Sequence, residues 1–172
     1  MNERTQTLRG LARFDGLDLT LDTVADTEAL GERIGAVVSA GDVVLLTGPL
    51  GAGKTAVARG IGRGLGVVGP ITSPTFVIAR EHPPAPGGRG VPMVHVDAYR
   101  LGGRAELDDL DLDTDLTSAV LVVEWGEGLA ERLAPAYLRV ELHRLGGADT
   151  EPDAAHDAAE PRRAQLFWET SA

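Results

Sequence analysis

The glycine-rich octapeptide GPLGAGKT (Gly48–Thr55) follows a short apolar run and precedes an amphipathic segment. Its spacing is that of the P-loop, G-x-x-x-x-G-K-[ST], which binds nucleotide phosphates when a strand precedes it and a helix follows it. Glycines let successive backbone N–H groups turn inward around an anion, and a helix that begins directly after them adds its positive N-terminal end. The octapeptide therefore predicts a nucleotide site, against the alternative of a glycine-rich turn that fits the pattern by chance.

Lys54 is the single lysine among the 16 lysine and arginine residues of the chain. A lysine ammonium is a compact charge on a flexible stem, so it fits between the phosphates and the loop backbone, where the planar fork of arginine would collide. We therefore expect Lys54 to reach the β- and γ-phosphates. The hydroxyl of Thr55 is expected to bind Mg²⁺.

Two acidic residues stand at the ends of apolar runs, Glu124 after LVV and Asp97 after VHV. A P-loop site needs a carboxylate for Mg²⁺, usually at the end of a neighbouring strand. Glu124 follows the more uniformly apolar run and is favoured as the metal ligand, which leaves Asp97 to orient the attacking water or the water shell of the metal. Which acid orients the water stays open. The alternative for each is a strand-end acid that faces solvent.

The nucleotide is predicted to be ATP. P-loop GTPases read guanine with an N-K-x-D motif, which requires a second lysine, and this chain has none. Asp97 is followed by AYR, which does not match the D-x-x-G segment of a GTPase switch.

The elements that must position these residues alternate between strands and helices. DVVLLT and AVLVVEW are short apolar runs typical of buried parallel strands, VPMVHVDA and TFVIARE predict two more strands, and KTAVARGIGRGLG predicts a helix weakened by its glycines. We expect an α/β, three-layer P-loop NTPase-like fold, with a mixed and mostly parallel sheet flanked by helices.

The two ends of the chain carry further elements. Apolar spacing in ADTEALGERIGAVVSAGD predicts a helix with an N-cap at Asp26 or Thr27 and a stop at Gly41. YLRVELHRL and RRAQLFWE alternate as antiparallel edge strands near the C-terminus. The acidic segment 147–161 between them is expected to be a disordered loop within a single domain over 1–172.

Composition limits the class of protein. The formal net charge of -10 argues against non-specific binding of a phosphate backbone. Cysteine is absent, which excludes thiol catalysis and zinc–thiolate sites. No apolar run reaches the ~20 residues that a membrane helix needs, and we expect a cytoplasmic protein.

Four motifs, GPLGAGKT, TSPTF, HVDAYR and VVEW, occur in this order over most of the chain. Together they resemble the TsaE (YjeE) family, small bacterial P-loop ATPases of tRNA threonylcarbamoyladenosine biosynthesis. The resemblance implies an ATPase that uses ATP and Mg²⁺ and works with two partner proteins, TsaB and TsaD. It also implies contact with tRNA only through their complex, whose repeated turnover the ATP cycle supports.

The resemblance also assigns residues in the first half of the chain. The nucleotide-binding stretch runs over LGAGKT, that is Leu50, Gly51, Ala52, Gly53, Lys54 and Thr55, after the first motif glycine Gly48. Thr75 and Phe76 of TSPTF lie where the family has a switch-like segment near the γ-phosphate.

In the second half, Thr55 and Glu124 correspond to the Mg²⁺ ligands, and Asp97 matches the second functional acid. Trp125 follows the metal-binding glutamate as in the family, although a core aromatic is an equal alternative at this position. His95 alternates with Asp97 on one strand face and is expected only to pack beside the site. The chain departs from the family at Gly126, where the family often has proline.

Two other functions fit a short P-loop protein. A small-molecule kinase would need an acceptor pocket and a lid that carries arginine, and the loop HPPAPGGRG has a single arginine. A nucleotide-gated binding module would use ATP occupancy without hydrolysis.

Overall fold

Seven strands form one sheet in a computed structural model of the chain, which describes residues 10–73, 78–98, 108–110, 114–145 and 161–170. The strands are β1 (Asp18–Leu21), β2 (Val43–Thr47), β3 (Ala79–His82), β4 (Met93–Asp97), β5 (Val120–Glu124), β6 (Ala136–Arg144) and β7 (Arg162–Thr170). The α-helices whose two ends both lie in the described residues are α1 (Val24–Gly35), α2 (Lys54–Leu65) and the short α3 (Ala130–Leu133), and a 3-10 helix covers Leu116–Ser118. Thr75, Phe76 and nearly all of the acidic segment lie outside the described residues.

The strand order across the sheet is β1-β7-β6-β2-β5-β4-β3. The four central strands β6, β2, β5 and β4 are parallel, whereas β7 is antiparallel to β6, β1 to β7 and β3 to β4. This arrangement confirms the predicted mixed, mostly parallel sheet with antiparallel strands near the C-terminus. Because β2, β4 and β5 run in the same direction, their carboxyl ends lie at one edge of the sheet.

The prediction that β6 and β7 are edge strands was wrong. β6 lies between β2 and β7, and β7 lies between β6 and β1, so the edges are β1 and β3. The sequence prediction missed β1, a strand of four residues that pairs with β7 from Asp18 opposite Gln165 to Leu21 opposite Arg162. The alternation of Leu17, Leu19 and Leu21 with polar residues was the signal in the sequence that could have indicated it.

The predicted N-cap of α1 was also wrong. Thr23 caps the helix, because its hydroxyl accepts the backbone N–H of Asp26 at 3.1 Å while the Asp26 carboxylate accepts the N–H of Thr23 at 3.0 Å. This reciprocal pair is a capping box with aspartate in the third helical position. The helix ends at Gly35 rather than at Gly41.

Apolar side chains pack on both faces of the sheet. The larger cluster lies between the sheet and helices α1 and α2, and includes Leu30, Ile34, Val57, Ile61 and Val122. The smaller cluster joins the opposite face to α3 and includes Leu45, Val96, Val123, Leu129 and Tyr137. The described part of the chain therefore has the predicted three layers.

Glycines allow α1 and α2 to approach with their backbones nearly in contact. A Cβ on Gly60 would lie 2.0 Å from the Glu28 carbonyl oxygen, and one on Gly31 would lie 2.2 Å from the Val57 carbonyl oxygen. Around this contact Glu28 binds Arg59 at 2.9 Å and also binds Arg63. The glycines that weaken α2 by propensity are thus required by its packing, and this packing places the start of α2.

A first prediction tests this contact with Gly60→Ala. In an uncrowded helix the change would stabilise by about 1 kcal/mol through propensity. Here we expect the free energy of unfolding to fall by about 1–3 kcal/mol, because the added methyl group collides with backbone that cannot move aside. Urea denaturation measures the sign, and a more stable variant would contradict the close approach.

A second prediction concerns Asp42, whose carboxylate accepts the Ser39 N–H at 2.8 Å before β2. Burial raises the pKa of Asp42 to about 6, although the hydrogen bond from Ser39 and the charge of Arg89 act in the opposite direction. The folded state therefore favours the protonated acid. The protonated Asp42 therefore contributes fully to the stability of the fold below the pKa of aspartate in the unfolded chain, about 3.9. This contribution is lost as the pH rises through the folded-state pKa of about 6.

Asp42→Asn should raise the free energy of unfolding at pH 8 by on the order of 1–2 kcal/mol, because the amide stays neutral and can still accept from Ser39. The gain should shrink as the pH falls to 5, as measured by denaturation at a series of pH values. Asp115→Asn is the control, since hydrogen bonds from the Thr117 backbone and hydroxyl lower the pKa of Asp115. A gain at pH 8 in both variants would contradict the role of burial.

Candidate functional site

The loop between β2 and α2 is shaped by three glycines with positive φ: 142° at Gly48, 76° at Gly51 and 103° at Gly53. A Cβ on Gly48 would lie 2.5 Å from the Leu142 carbonyl oxygen of β6, so no other residue fits there without a shift of the backbone. The loop is closed by a hydrogen bond from the Ala52 N–H to the Pro49 carbonyl at 3.1 Å. The motif glycines are therefore required by local geometry.

The N-terminus of α2 presents its first backbone N–H groups without a side-chain cap. Gly53 is the N-cap and has no side chain to accept them, and the first turn contains no acidic residue. Uncapped N–H groups together with the positive end of the helix dipole attract anions. Lys54 and Thr55 are the first two residues of this helix.

Lys54 is 6% exposed, and its ammonium group lies within the loop. Its Nζ donates to the carbonyls of Gly48 at 2.7 Å and Pro49 at 2.9 Å. Burial is the largest effect on the pKa of Lys54 and lowers it, while the negative charges of Glu124, Glu127 and Asp97 act to raise it. Three carboxylates therefore act electrostatically on the one lysine ammonium.

Asp97 and Glu124 end neighbouring parallel strands and stand directly opposite each other in the register. Both are buried, at 8% and 4% exposure. Alternation along β5 puts Glu124 on the same face as Val120 and Val122, which is the face that α2 covers. Between α2 and β5, Thr55 Oγ1 lies 3.5 Å from Glu124 Oε1.

The predicted residues Lys54, Thr55, Asp97 and Glu124 therefore meet at the carboxyl edge of the sheet. Other predicted residues lie around them in different ways. Ala52 is buried in the larger apolar cluster, whereas the Leu50 side chain is 75% exposed at the tip of the loop. Thr75 lies outside the described residues.

Trp125 connects the acidic strand end to the lysine. It is the one non-glycine residue with positive φ, 58°, in the described part of the chain, a conformation that costs about 1–3 kcal/mol. This turn places the ring centroid 4.4 Å from Lys54 Nζ, a cation–π contact. A Cβ on the next residue, Gly126, would lie 2.4 Å from Val123 Cγ1, so a larger residue there would require the Val123 side chain to move.

The sequence prediction missed Arg162 as a residue that contacts the loop. It begins β7, is 6% exposed, and donates from its guanidinium to the Gly51 carbonyl at 3.0 Å. A trans peptide points its N–H away from its carbonyl, so this bond fixes the orientation of the peptide between Gly51 and Ala52. The two partners are 111 positions apart, and no local pattern in RRAQLFWE indicates the contact.

His95 was expected only to pack beside the site, but it makes a polar contact there. Its imidazole is fully buried, and Nε2 lies 3.1 Å from Glu124 Oε1, the oxygen that Thr55 also approaches. The alternation of His95 with Asp97 predicted its place beside the site, but the contact with Glu124 depends on the pairing of β4 with β5, which the sequence pattern does not show.

The donor set around Thr55 and Glu124 fits a small hard cation that retains waters or phosphate ligands. Within the described ranges, no group of three or more His, Asp and Glu could hold a metal ion. Mg²⁺ is usually bound by one or two carboxylates together with phosphate oxygens and waters.

None of the helices in the described ranges combines the length and apolar character required to cross a membrane.

Comparisons with known proteins agree on one family. The family model described as threonylcarbamoyl adenosine biosynthesis protein TsaE matches residues 21–151. The tRNA threonylcarbamoyladenosine biosynthesis protein TsaE of Mycobacterium tuberculosis is 58% identical over 137 residues, which cover 76% of this chain and 81% of that protein. The protein of the same name from Streptomyces coelicolor is 56% identical over 128 residues, covering 74% and 84%.

A solved structure has a similar fold. The crystal structure of YdiB from Bacillus subtilis aligns with a TM-score of 0.63 at 26% identity, covering 92% of this chain and 87% of that one.

A third prediction tests the bond between β7 and the loop. Arg162→Met removes the donor to the Gly51 carbonyl. We expect the backbone amide hydrogens of residues 50–54 to exchange with solvent about tenfold faster, because the loop loses one hydrogen bond from a charged group. Hydrogen exchange with mass spectrometry measures this rate.

Arg163→Met is the matched control. The neighbouring Arg163 pairs instead with Asp18 and is 46% exposed, so its loss should leave exchange in the loop unchanged. Equal acceleration in both variants, or none in Arg162→Met, would contradict the specific support of the loop by Arg162.

Proposed function

The chain belongs to the TsaE family, and we propose that it binds ATP with Mg²⁺ and hydrolyses the ATP to ADP and phosphate in tRNA threonylcarbamoyladenosine biosynthesis. Family membership assigns the chain to this pathway and to a nucleotide-binding role. One observation carries the proposed activity: Lys54, Thr55, Asp97 and Glu124 meet at the edge where the glycine-rich loop leads into α2.

The charges in the site support a nucleotide accompanied by a divalent cation. The carboxylates of Glu124, Glu127 and Asp97 act electrostatically on the Lys54 ammonium, and a triphosphate alone would add more negative charge. We propose that Thr55 and Glu124 hold Mg²⁺. The Thr55 hydroxyl and the Glu124 carboxylate are oxygen ligands of the kind that this ion prefers. Bound there, Mg²⁺ would neutralise charge on the phosphates.

The residues of the loop would bind the phosphates. Lys54 already has the carbonyls of Gly48 and Pro49 as partners, and on nucleotide binding its ammonium would donate to phosphate oxygens instead. The uncapped N–H groups at the start of α2 would donate to the same anion. The Trp125 ring beside Lys54 Nζ would help to exclude water from the ammonium.

Hydrolysis requires that a water oxygen bond to the γ-phosphorus while the bond from that phosphorus to the bridging oxygen breaks and ADP leaves. Asp97 stands beside Glu124 at the strand ends, and one of these two acids would orient the water and accept its proton. We propose Asp97 for this role because Glu124 faces Thr55.

The same proposal includes partners. By the family resemblance these are TsaB and TsaD, with tRNA contacted only through their complex, and the chain would work in the cytoplasm. We expect slow hydrolysis by the isolated chain and faster hydrolysis when partners complete the site, as in P-loop enzymes that receive a catalytic group from outside.

The kinase alternative finds less support in the structure. The lid it requires would use Arg89, the arginine of the loop HPPAPGGRG, yet Arg89 donates to the carbonyls of Gly35 and Val38 at the end of α1. This arginine therefore stabilises a helix terminus rather than facing the site.

A fourth prediction separates binding from hydrolysis. Lys54→Met should weaken ATP binding by at least about 100-fold, because the buried ammonium is the cation at the phosphates. Asp97→Asn should keep ATP affinity within a few-fold and reduce hydrolysis by about 100-fold or more. Calorimetry with Mg²⁺ measures binding, and phosphate release with TsaB and TsaD measures hydrolysis.

Arg59→Met is the control, since it removes a cation from the same helix that pairs with Glu28. The absence of any binding heat for the wild-type chain would contradict the proposed function. Recovery of the phosphate on an added metabolite would favour a kinase, and full pathway function of a hydrolysis-dead, ATP-bound Asp97→Asn chain would favour a binding module.

A further inference from the structure

His95 is a polar ring in a position that packing alone would fill with an apolar side chain. It lies in β4 with Val94 and Val96 on either side and Val122 opposite in β5, and it is 0% exposed. Its Nδ1 has no hydrogen-bond partner within the described ranges. Burial of such an atom costs about 1–3 kcal/mol, so the ring is retained at a cost to stability.

The other ring nitrogen faces the site. Nε2 lies 3.1 Å from Glu124 Oε1, and Thr55 Oγ1 approaches the same oxygen to 3.5 Å. A carboxylate oxygen can only accept, so Nε2 carries the hydrogen of this bond. The Glu124 carboxylate is thus held between a donor from β4 and a hydroxyl from α2.

We propose that His95 is a positioning residue for Glu124, which it orients toward Thr55 as a ligand for Mg²⁺. A glutamate side chain loses about 1.5–2 kcal/mol of rotamer entropy when it is fixed in one orientation. A hydrogen bond that fixes it before the metal arrives reduces this cost at the moment of binding, as partners of metal ligands generally do. The inference rests on the proposed ATP and Mg²⁺ function of the site.

Two substitutions separate positioning from packing. His95→Gln can place an amide N–H near the position of Nε2, whereas His95→Leu fills similar volume and cannot donate. We expect His95→Leu to raise the half-saturating Mg²⁺ concentration for ATP binding about tenfold, the lower end of the effect for such partners. Affinity for ATP without Mg²⁺ should change less than about twofold, and His95→Gln should stay within about threefold of wild type.

The measurement is fluorescence of a labelled ATP analogue, titrated at a series of Mg²⁺ concentrations, with phosphate release followed in parallel. His82→Leu is the matched control, because His82 is also buried, in the adjacent β3, and its Nε2 has no partner within the described ranges. We expect His82→Leu to keep the wild-type half-saturating Mg²⁺ concentration for ATP binding. Any change in this variant measures the general effect of removing a buried imidazole.

The outcomes distinguish the inference from the function on which it rests. If the wild type binds ATP with no dependence on Mg²⁺, the proposed metal site and the positioning role both fail. If the wild type depends on Mg²⁺ but His95→Leu matches it, or His95→Gln is as impaired as His95→Leu, only the positioning role is overturned.

A spectroscopic measurement needs no substitution at His95 and no nucleotide. In the ¹⁵N spectrum of histidine-labelled protein, the His95 ring should carry a slowly exchanging hydrogen on Nε2, and Glu124→Gln should shift this signal. A ring protonated on Nδ1 alone, or a signal that ignores Glu124→Gln, would overturn the inference even if His95→Leu does not fold.

Discussion

Parallel pairing of β2, β5 and β4 is the constraint on which the site depends. It brings the carboxyl ends of three strands to one edge and makes Asp97 and Glu124 direct neighbours. Side chains alternate along a strand, so both acids face α2, which carries Lys54 and Thr55 in its first turn. A slip of one residue in β5 would move Glu124 to the opposite face. The charged groups therefore meet because backbone hydrogen bonds fix their register.

The glycine-rich loop is held from several sides by elements remote in sequence. Gly48 packs against the carbonyl of Leu142 in β6, and Arg162 in β7 binds the carbonyl of Gly51. The close contact of α1 with α2 fixes the helix into which the loop leads. The antiparallel strands at the C-terminal end of the chain thus extend the sheet and also support the loop, which explains why a buried arginine stands where β7 begins.

The site combines buried charge with local strain, and each is compensated by a specific contact. The Lys54 ammonium donates to two carbonyls and lies against an aromatic ring. Trp125 adopts an unfavourable φ, and that turn is what brings its ring to the ammonium. Such costs are typical of binding sites, where groups are held in position before a ligand arrives.

The sequence by itself determined the glycine-rich loop, the strand before it, the helix after it and the acids at two strand ends. These features depend on residues close together in the chain, so local spacing was sufficient. Tertiary structure alone decided that β1 pairs with β7 in the sheet. It also decided that Arg162 binds the carbonyl of Gly51, which lies 111 positions away in the chain. It further decided that His95, which was expected only to pack beside the site, contacts Glu124. These contacts follow from strand order and register, which pair residues that no local pattern connects.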